Sequence, residues 1–161
     1  MTTKPLHLDR TDKRLLALLQ QDASLSNQEL ADKVGLSPSP CSRRVKQLEE
    51  AGLISSYVAK LNPEALGLSL TAYVQIALDK HTPERFTEFD KLINACPEVV
   101  ECYLVTGQSA DYNLKVVVKD MQAYQEFLLN TLTQIPGVSG VHSSFVMRKV
   151  VETTQLPLNH L

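Results

Sequence analysis

The 161-residue sequence contains no tryptophan, and its Phe and Tyr residues together make up only 6% of it. Apolar residues nevertheless reach 43%, enough to fill one medium core or two small ones. Long apolar runs are missing, and none approaches the roughly 20 residues that span a bilayer. The opening stretch MTTKPLHLD carries charge with no apolar segment behind it, so a soluble, cytoplasmic protein is expected. Cysteine is scarce and odd in number. Cys41, Cys96 and Cys102 lack the paired spacing of a zinc site and read as reduced thiols, with Cys102 a small core residue in an apolar run. No phosphate-cradling glycine loop, nucleophile–base set or metal-ligand spacing is present, so no catalysis, metal or cofactor is expected.

Neither charge sign dominates, and the formal net charge is −2. The charges are distributed unevenly along the chain. Residues 1–62 hold nine Lys/Arg against seven Asp/Glu, whereas residues 63–161 hold seven against eleven. A slightly basic first part and an acidic remainder suggest two parts with different tasks.

The basic part reads as three helices. Asp9 is placed to cap the first, whose apolar positions are Leu15, Leu16, Leu18 and Leu19. Ser26 and Glu29 have capping-box spacing at the start of the second, and Leu25 and Leu30 have the spacing of a hydrophobic staple. Leu30, Ala31 and Val34 form its inward side, and Gly35 ends it. After Leu36, Ser37 can cap a third helix with Pro38 at its first position. Two helices joined through so short a glycine turn form either a helix-turn-helix or an ordinary helical hairpin.

The third helix favours the former. Cys41, Val45 and Leu48 recur at helical spacing as its buried stripe. Ser39, Ser42, Arg43 and Lys46 lie about 100–200° from Cys41 on the other side. Arg can bind guanine bidentately, Ser can pair with several bases, and Lys neutralises phosphate. Glu49 and Glu50 come only at the far end, so the first turns are purely cationic. Ser37 stands at the mouth of this surface, and Arg44, on its flank, reads as a phosphate contact. Gly52 closes the helix, and Leu53–Ala59 reads as a strand serving as a wing or tether. Residues 63–69, broken by Pro63 and Gly67, read as a hinge.

Residues 70–161 alternate differently. Leu70–Leu78 has strand periodicity, a helix opens at Thr82–Pro83, and Glu98–Thr106 and Ala110–Lys119 are strands around a turn. Asp120 caps another helix, and Val138–Val150 reads as a last strand. Asn94-Ala95-Cys96-Pro97-Glu98-Val99 mirrors Thr133-Gln134-Ile135-Pro136-Gly137-Val138. The order is therefore a twice-repeated strand-helix-strand, the ferredoxin-like βαββαβ arrangement. One sheet face is covered by helices. The other must be solvated or paired with a second subunit, and Leu, Val and Tyr on the strands favour pairing.

Several segments resemble the Lrp/AsnC, or feast/famine, regulators. They are Leu8-Asp9-Arg10-Thr11-Asp12, Glu29-Leu30-Ala31-Asp32-Lys33-Val34-Gly35-Leu36-Ser37 and Leu48-Glu49-Glu50-Ala51-Gly52-Leu53-Ile54. Glu101-Cys102-Tyr103-Leu104-Val105-Thr106-Gly107 and Ile135-Pro136-Gly137-Val138 match as well, and Ser37-Pro38-Ser39-Pro40-Cys41-Ser42-Arg43-Arg44-Val45 resembles the leucine-responsive branch. The likeness covers nearly the whole chain from about residue 8. It implies an α+β chain in which a winged helix-turn-helix is joined to a ferredoxin-like domain.

The resemblance also implies double-stranded DNA as a partner and a homodimer that assembles into a tetramer or octamer. It further implies an amino acid or related small effector bound between dimers near Gly107. The residues so implicated are Leu104, Val105, Thr106, Gly107, Gln108, Ser109, Ala110, Asp111, Tyr112 and Met121. Backbone N–H groups around Gly107 suit a carboxylate, Asp111 suits an ammonium, and Leu104 and Met121 suit an apolar wall. The family's turn usually has two residues between Gly and Asp, whereas Gln108-Ser109-Ala110 makes three here. The alternative for this turn is a plain hairpin loop.

Two other functions share the architecture. One is an architectural protein that wraps or bridges DNA with low sequence preference and no effector. The other is a sirohaem decarboxylase, which needs His and Arg in a central pocket. His7, His81, His142 and His160 are scattered here, and only His142 falls in an expected strand.

Overall fold

Asp9 begins the first helix by accepting from the backbone N–H groups of Thr11 and Asp12, while the Asp12 carboxylate accepts in return from the Asp9 N–H. This reciprocal cap satisfies donors that a helix N-terminus otherwise leaves open. The computed structural model describes residues 8–107 and 109–161. They include α1 (Arg10–Gln21), α2 (Asn27–Val34) and α3 (Pro38–Glu50). Ser26 and Glu29 cap each other at the start of α2 as expected. Gly35 ends that helix at φ +72°, a left-handed conformation that costs glycine least. Leu15, Leu19, Leu30, Ala31, Cys41 and Leu48 interlock as the core of the three helices. Burying each leucine contributes about 2 kcal/mol.

Two sequence expectations fail here. Ser37 occupies the cap position of α3, but its side chain makes no capping hydrogen bond. Pro40, at the third helical position, explains the tolerance, because it lacks one of the N–H groups a capping side chain would serve. Leu53–Ala59 forms no strand, since no neighbouring strand among the described residues offers it a ladder. It runs on as irregular chain, with Tyr57 and Val58 exposed.

The chain divides into two compact units. One reaches to Lys60 and takes in Val151–Leu161, and the other is Leu61–Val150. The tail packs with the helical unit, whereas the sequence reading counted it in 70–161. Its anchor is the Gln20 carboxamide, which donates to Leu156 O at 3.1 Å and accepts from Leu156 N–H at 3.0 Å. Lys13 adds a hydrogen bond to the carbonyl of Leu161. Residues 62–68 are wound into overlapping turns, with Leu68 N–H donating to Pro63 O at 2.8 Å.

The second unit holds β1 (Leu70–Leu78), α4 (Pro83–Ile93), β2 (Val99–Leu104), β3 (Tyr112–Val118), α5 (Met121–Asn130), a 3-10 turn (Leu132–Gln134) and β4 (Val138–Phe145). The strands pair antiparallel in the order β2-β3-β1-β4. Thr82 and Asp120 cap α4 and α5 as expected. β4 stops at Phe145, short of the expected Val150, and its pairing with β1 likewise ends at Ala72 opposite Phe145. The internal repeat is real in three dimensions. Val99 N–H donates to Cys96 O and Val138 N–H to Ile135 O, each at 3.2 Å, so the same turn launches β2 and β4. Gly137 in the second copy sits at φ +90°, and an added Cβ would overlap the Arg85 side chain.

Strand alternation sorts the sheet into two faces. Ala72, Val74, Ile76, Leu114 and Val116 point to the helices and pack with Phe89, Ile93, Tyr124 and Phe127. The opposite face carries Tyr73, Gln75, Glu101, Tyr103, Asn113 and Lys115 around a groove of about 360 Å³. The Leu and Val residues mostly went inward, leaving two exposed tyrosines among amides and a Lys115–Glu101 ion pair at 2.7 Å.

Candidate nucleic-acid interface and effector turn

α3 is held from three sides. Cys41 and Leu48 are fully enclosed and Val45 is half-buried, which fixes the helix by its inner stripe. Asn27 Nδ2 donates to Pro38 O at 2.8 Å and pins the first turn of α3 to the start of α2. Tyr57 returns its hydroxyl to Glu49 at 2.9 Å and pins the last turn. Burial, and then the Glu49 carboxylate, push that phenol up to about 12.

Fixed in this way, α3 presents Ser39, Ser42, Arg43 and Lys46 to solvent, with Ser37 exposed just ahead of them. Lys46 lies 3.7 Å from Glu50, one helical turn on, and both are largely exposed. Such a surface pair is worth little and leaves the ammonium available to a phosphate.

Arg44 departs from this group. It is half-buried, and its Nη1 lies 2.7 Å from Asp9 Oδ2 and 2.8 Å from Asp12 Oδ1. The two carboxylates raise the guanidinium's affinity for its proton, Asp12 first. The Asp9 carboxyl is held below its usual range, first by the Asp12 backbone N–H and also by Arg44. Arg44 thus ties α3 to the cap of α1, a contact that flank angle alone does not reveal. Spacing of Asp9 and Asp12 as N-cap and N3 was the available signal.

The β2–β3 turn is closed by Val105 N–H donating to Asp111 O at 2.8 Å, with Gly107 at φ +85° within it. Asp111 N–H donates to Ile76 O at 2.7 Å. The carboxylate of Asp111 is engaged on both oxygens, by Leu78 N–H at 2.7 Å and by His81 Nε2 at 2.8 Å. Leu104 and Met121 are half-exposed, as an apolar wall requires. Val105 is half-buried, Thr106 and Ser109 are exposed, and Gln108 lies outside the described residues.

Ala110 and Tyr112 are buried. The Tyr112 ring packs between Phe86 and Phe89, and its hydroxyl donates to Asp90 at 2.8 Å. Burial, and then Asp90, push that phenol far up. The Tyr112 ring is thus committed to the core and only its backbone faces this turn. His81 was not readable as part of the site, because nothing in a loop histidine's spacing points across to a turn thirty residues on.

The thiols show no activation. Burial raises Cys41 and Cys96 above the usual thiol range and takes Cys102 up to about 11. Among the described residues no cluster of His, Cys, Asp and Glu has the makings of a metal site, and no helix is long and apolar enough to cross a membrane.

A helix-turn-helix in one unit and a ferredoxin-like sheet in the other are the two parts that comparison with known proteins also finds. Residues 8–55 match the winged helix-turn-helix DNA-binding family and residues 71–156 the Lrp/AsnC ligand binding domain. The chain belongs to the Lrp/AsnC family of transcriptional regulators. It is 45% identical to the Bkd operon transcriptional regulator of Pseudomonas aeruginosa, over 94% of this chain and 98% of that one. It is 43% identical to the leucine-responsive regulatory protein of Escherichia coli, over 92% and 90%. A transcriptional regulator from Neisseria meningitidis, solved as an L-Met complex, superposes with a TM-score of 0.92 at 42% identity, covering 95% of this chain and 98% of that one.

Proposed function

We propose that this protein regulates transcription by reading specific DNA sites with the outer face of α3 and by answering to an amino acid at the β2–β3 turn. The observation that carries the first half is the sorting of α3. Its apolar stripe is enclosed, while Ser39, Ser42, Arg43 and Lys46 stand together in solvent. Arg43 is the candidate for a guanine edge, and Ser39 and Ser42 for adjacent bases. Lys46, with the backbone near Ser37, is the candidate for phosphate.

The amino-acid class is supported by the chemistry of the turn and by the L-Met bound to the Neisseria relative. Backbone N–H groups around Gly107 suit a carboxylate, Asp111 suits an ammonium, and exposed Leu104 and Met121 suit an apolar side chain. The chain acts as a binding protein in the cytoplasm, not as an enzyme.

Two half-sites one or more helical turns apart require a dimer. The open sheet face is the candidate interface, because Tyr73 and Tyr103 are exposed on it and Lys115 beside Glu101 can satisfy a symmetry-related copy of the same pair. Dimers of this kind would assemble further into tetramers or octamers, with residues 63–69 as the joint between the helix-turn-helix and the ferredoxin-like sheet.

A thermal-shift screen of the twenty amino acids tests the effector reading, since a specific ligand raises the melting temperature by mass action. Selection of bound duplexes from a random pool tests the DNA reading. A shift with one or a few amino acids and recovery of a consensus are expected. No shift with any of them removes the effector, and no consensus leaves an architectural binder.

A further inference from the structure

Asp111 has its carboxylate only 18% exposed, yet the imidazole that binds it, His81, is 67% exposed. The shielded acid therefore communicates with solvent through a surface residue. That residue is held in place: the His81 ring lies parallel to Phe86 with centroids 6.2 Å apart, and Phe86 in turn packs edge-on against Tyr112. One face of the imidazole is turned to Phe86 while its Nε2 lies 2.8 Å from Asp111 Oδ1. The other oxygen of Asp111 accepts from Leu78 N–H.

We propose that His81 is a positioning residue of the effector turn, one that orients the Asp111 carboxylate and competes for it with the ammonium group of an α-amino acid. The proposal rests on the reading of this turn as the effector site. Its consequence is a dependence of effector affinity on pH. A neutral imidazole leaves Asp111 its full negative charge, which attracts the ammonium. An imidazolium neutralises Asp111, and the attraction falls. Effector affinity therefore rises as pH increases through the histidine range.

Other charged groups near the clasp are accounted for. Asp79 and Lys80 precede His81 on its loop, and Glu84 follows on α4. Arg85, also on α4, holds Asp79 at 3.1 Å and Glu88 at 2.9 Å, and Asp90 takes the Tyr112 hydroxyl. Carboxylates, ammonium and guanidinium groups do not normally titrate between pH 5.5 and 7.5. Of the groups facing Asp111, histidine alone has a side chain that ordinarily changes charge there.

The test is titration calorimetry of the full chain with L-methionine between pH 5.5 and 7.5, on the parent protein, His81→Gln and Asp111→Asn. In the parent, affinity should rise about fivefold or more across the range. His81→Gln keeps an N–H donor without a titratable charge, so it should lose the pH slope whatever its affinity at pH 7.5. Asp111→Asn should bind weakly throughout. An identical slope in His81→Gln overturns the proposal, and ionisation of the ligand itself cancels in that comparison.

If neither L-methionine nor any of the other nineteen amino acids binds the parent, the effector reading fails, and the competition proposed for His81 fails with it. The positioning role is still read separately, from hydrogen exchange of the Leu78 and Val105 amides. Exchange should quicken in His81→Ala and recover in His81→Gln. Unchanged exchange in His81→Ala overturns that role too.

Discussion

Arg44 Nη1 lies 2.8 Å from Asp12 Oδ1, and the same nitrogen is 2.7 Å from Asp9 Oδ2. The two acids that cap α1 thus also hold α3, the helix proposed to offer Arg43 and Lys46 to DNA. Arg44→Ala should lower the melting temperature by a few degrees, and Asp12→Asn by a similar amount. The double variant should be little worse than either single one, as residues sharing one interaction are non-additive. Additive losses would show that the contact contributes nothing to stability.

Lys46 supplies the contrast. Neutralising one phosphate contact changes the slope of log affinity against log salt by about one. Lys46→Ala should show that change on any duplex, while Arg44→Ala, whose charge is satisfied internally, should leave the slope unaltered. A reduced slope in Arg44→Ala would return Arg44 to the DNA surface.

Acid should loosen the helical unit through its caps. The Asp9 carboxyl is lowered by the Asp12 N–H and by Arg44, and the Glu29 carboxyl by the Ser26 hydroxyl and N–H. A carboxyl with a depressed folded-state pKa stabilises the fold above its ordinary value, 3.8 for Asp9 and 4.5 for Glu29, and that contribution is lost as pH falls below it. Circular dichroism melts from pH 6 to pH 3 should show the melting temperature dropping below about pH 4.5. Asp9→Asn should be less stable at pH 6 and lose less on acidification. Parallel curves for the two proteins would refute the assignment.

Gly137 is needed for two separate reasons, its φ of +90° and the Arg85 side chain lying over it. Gly137→Ala should cost about 1–3 kcal/mol from the backbone conformation alone, with the overlap in addition. Arg85→Ala in the same chain should relieve the overlap and leave the backbone cost. Full recovery in the double variant would mean that φ at this position carries no penalty.

Much of this was legible because short-range chemistry wrote it. The Ser26–Glu29 box, the left-handed Gly35, the Cys41–Val45–Leu48 stripe and the repeated turns before Val99 and Val138 all depend on residues within a few positions of one another. What escaped depends on distance along the chain. Arg44 to Asp12, His81 to Asp111 and Gln20 to Leu156 are tertiary choices among several equally plausible partners. The expected strand at Leu53–Ala59 shows the converse: β-forming residues alone do not make a strand when no ladder is beside them. The make-up of the open sheet face was likewise hidden, since an apolar count over β1–β4 does not say which face each residue joins until the register is set.

Arg43 tests the central claim most directly, that the outer face of α3 reads sequence. Affinity should be measured at one salt concentration for a duplex selected by the protein and for a scrambled duplex, with the parent protein and with Arg43→Ala. A base-reading Arg43 predicts a loss of about 1–3 kcal/mol on the selected duplex and little change on the scrambled one. Equal loss on both would make Arg43 a phosphate contact, and would contradict the assignment of sequence reading to this residue.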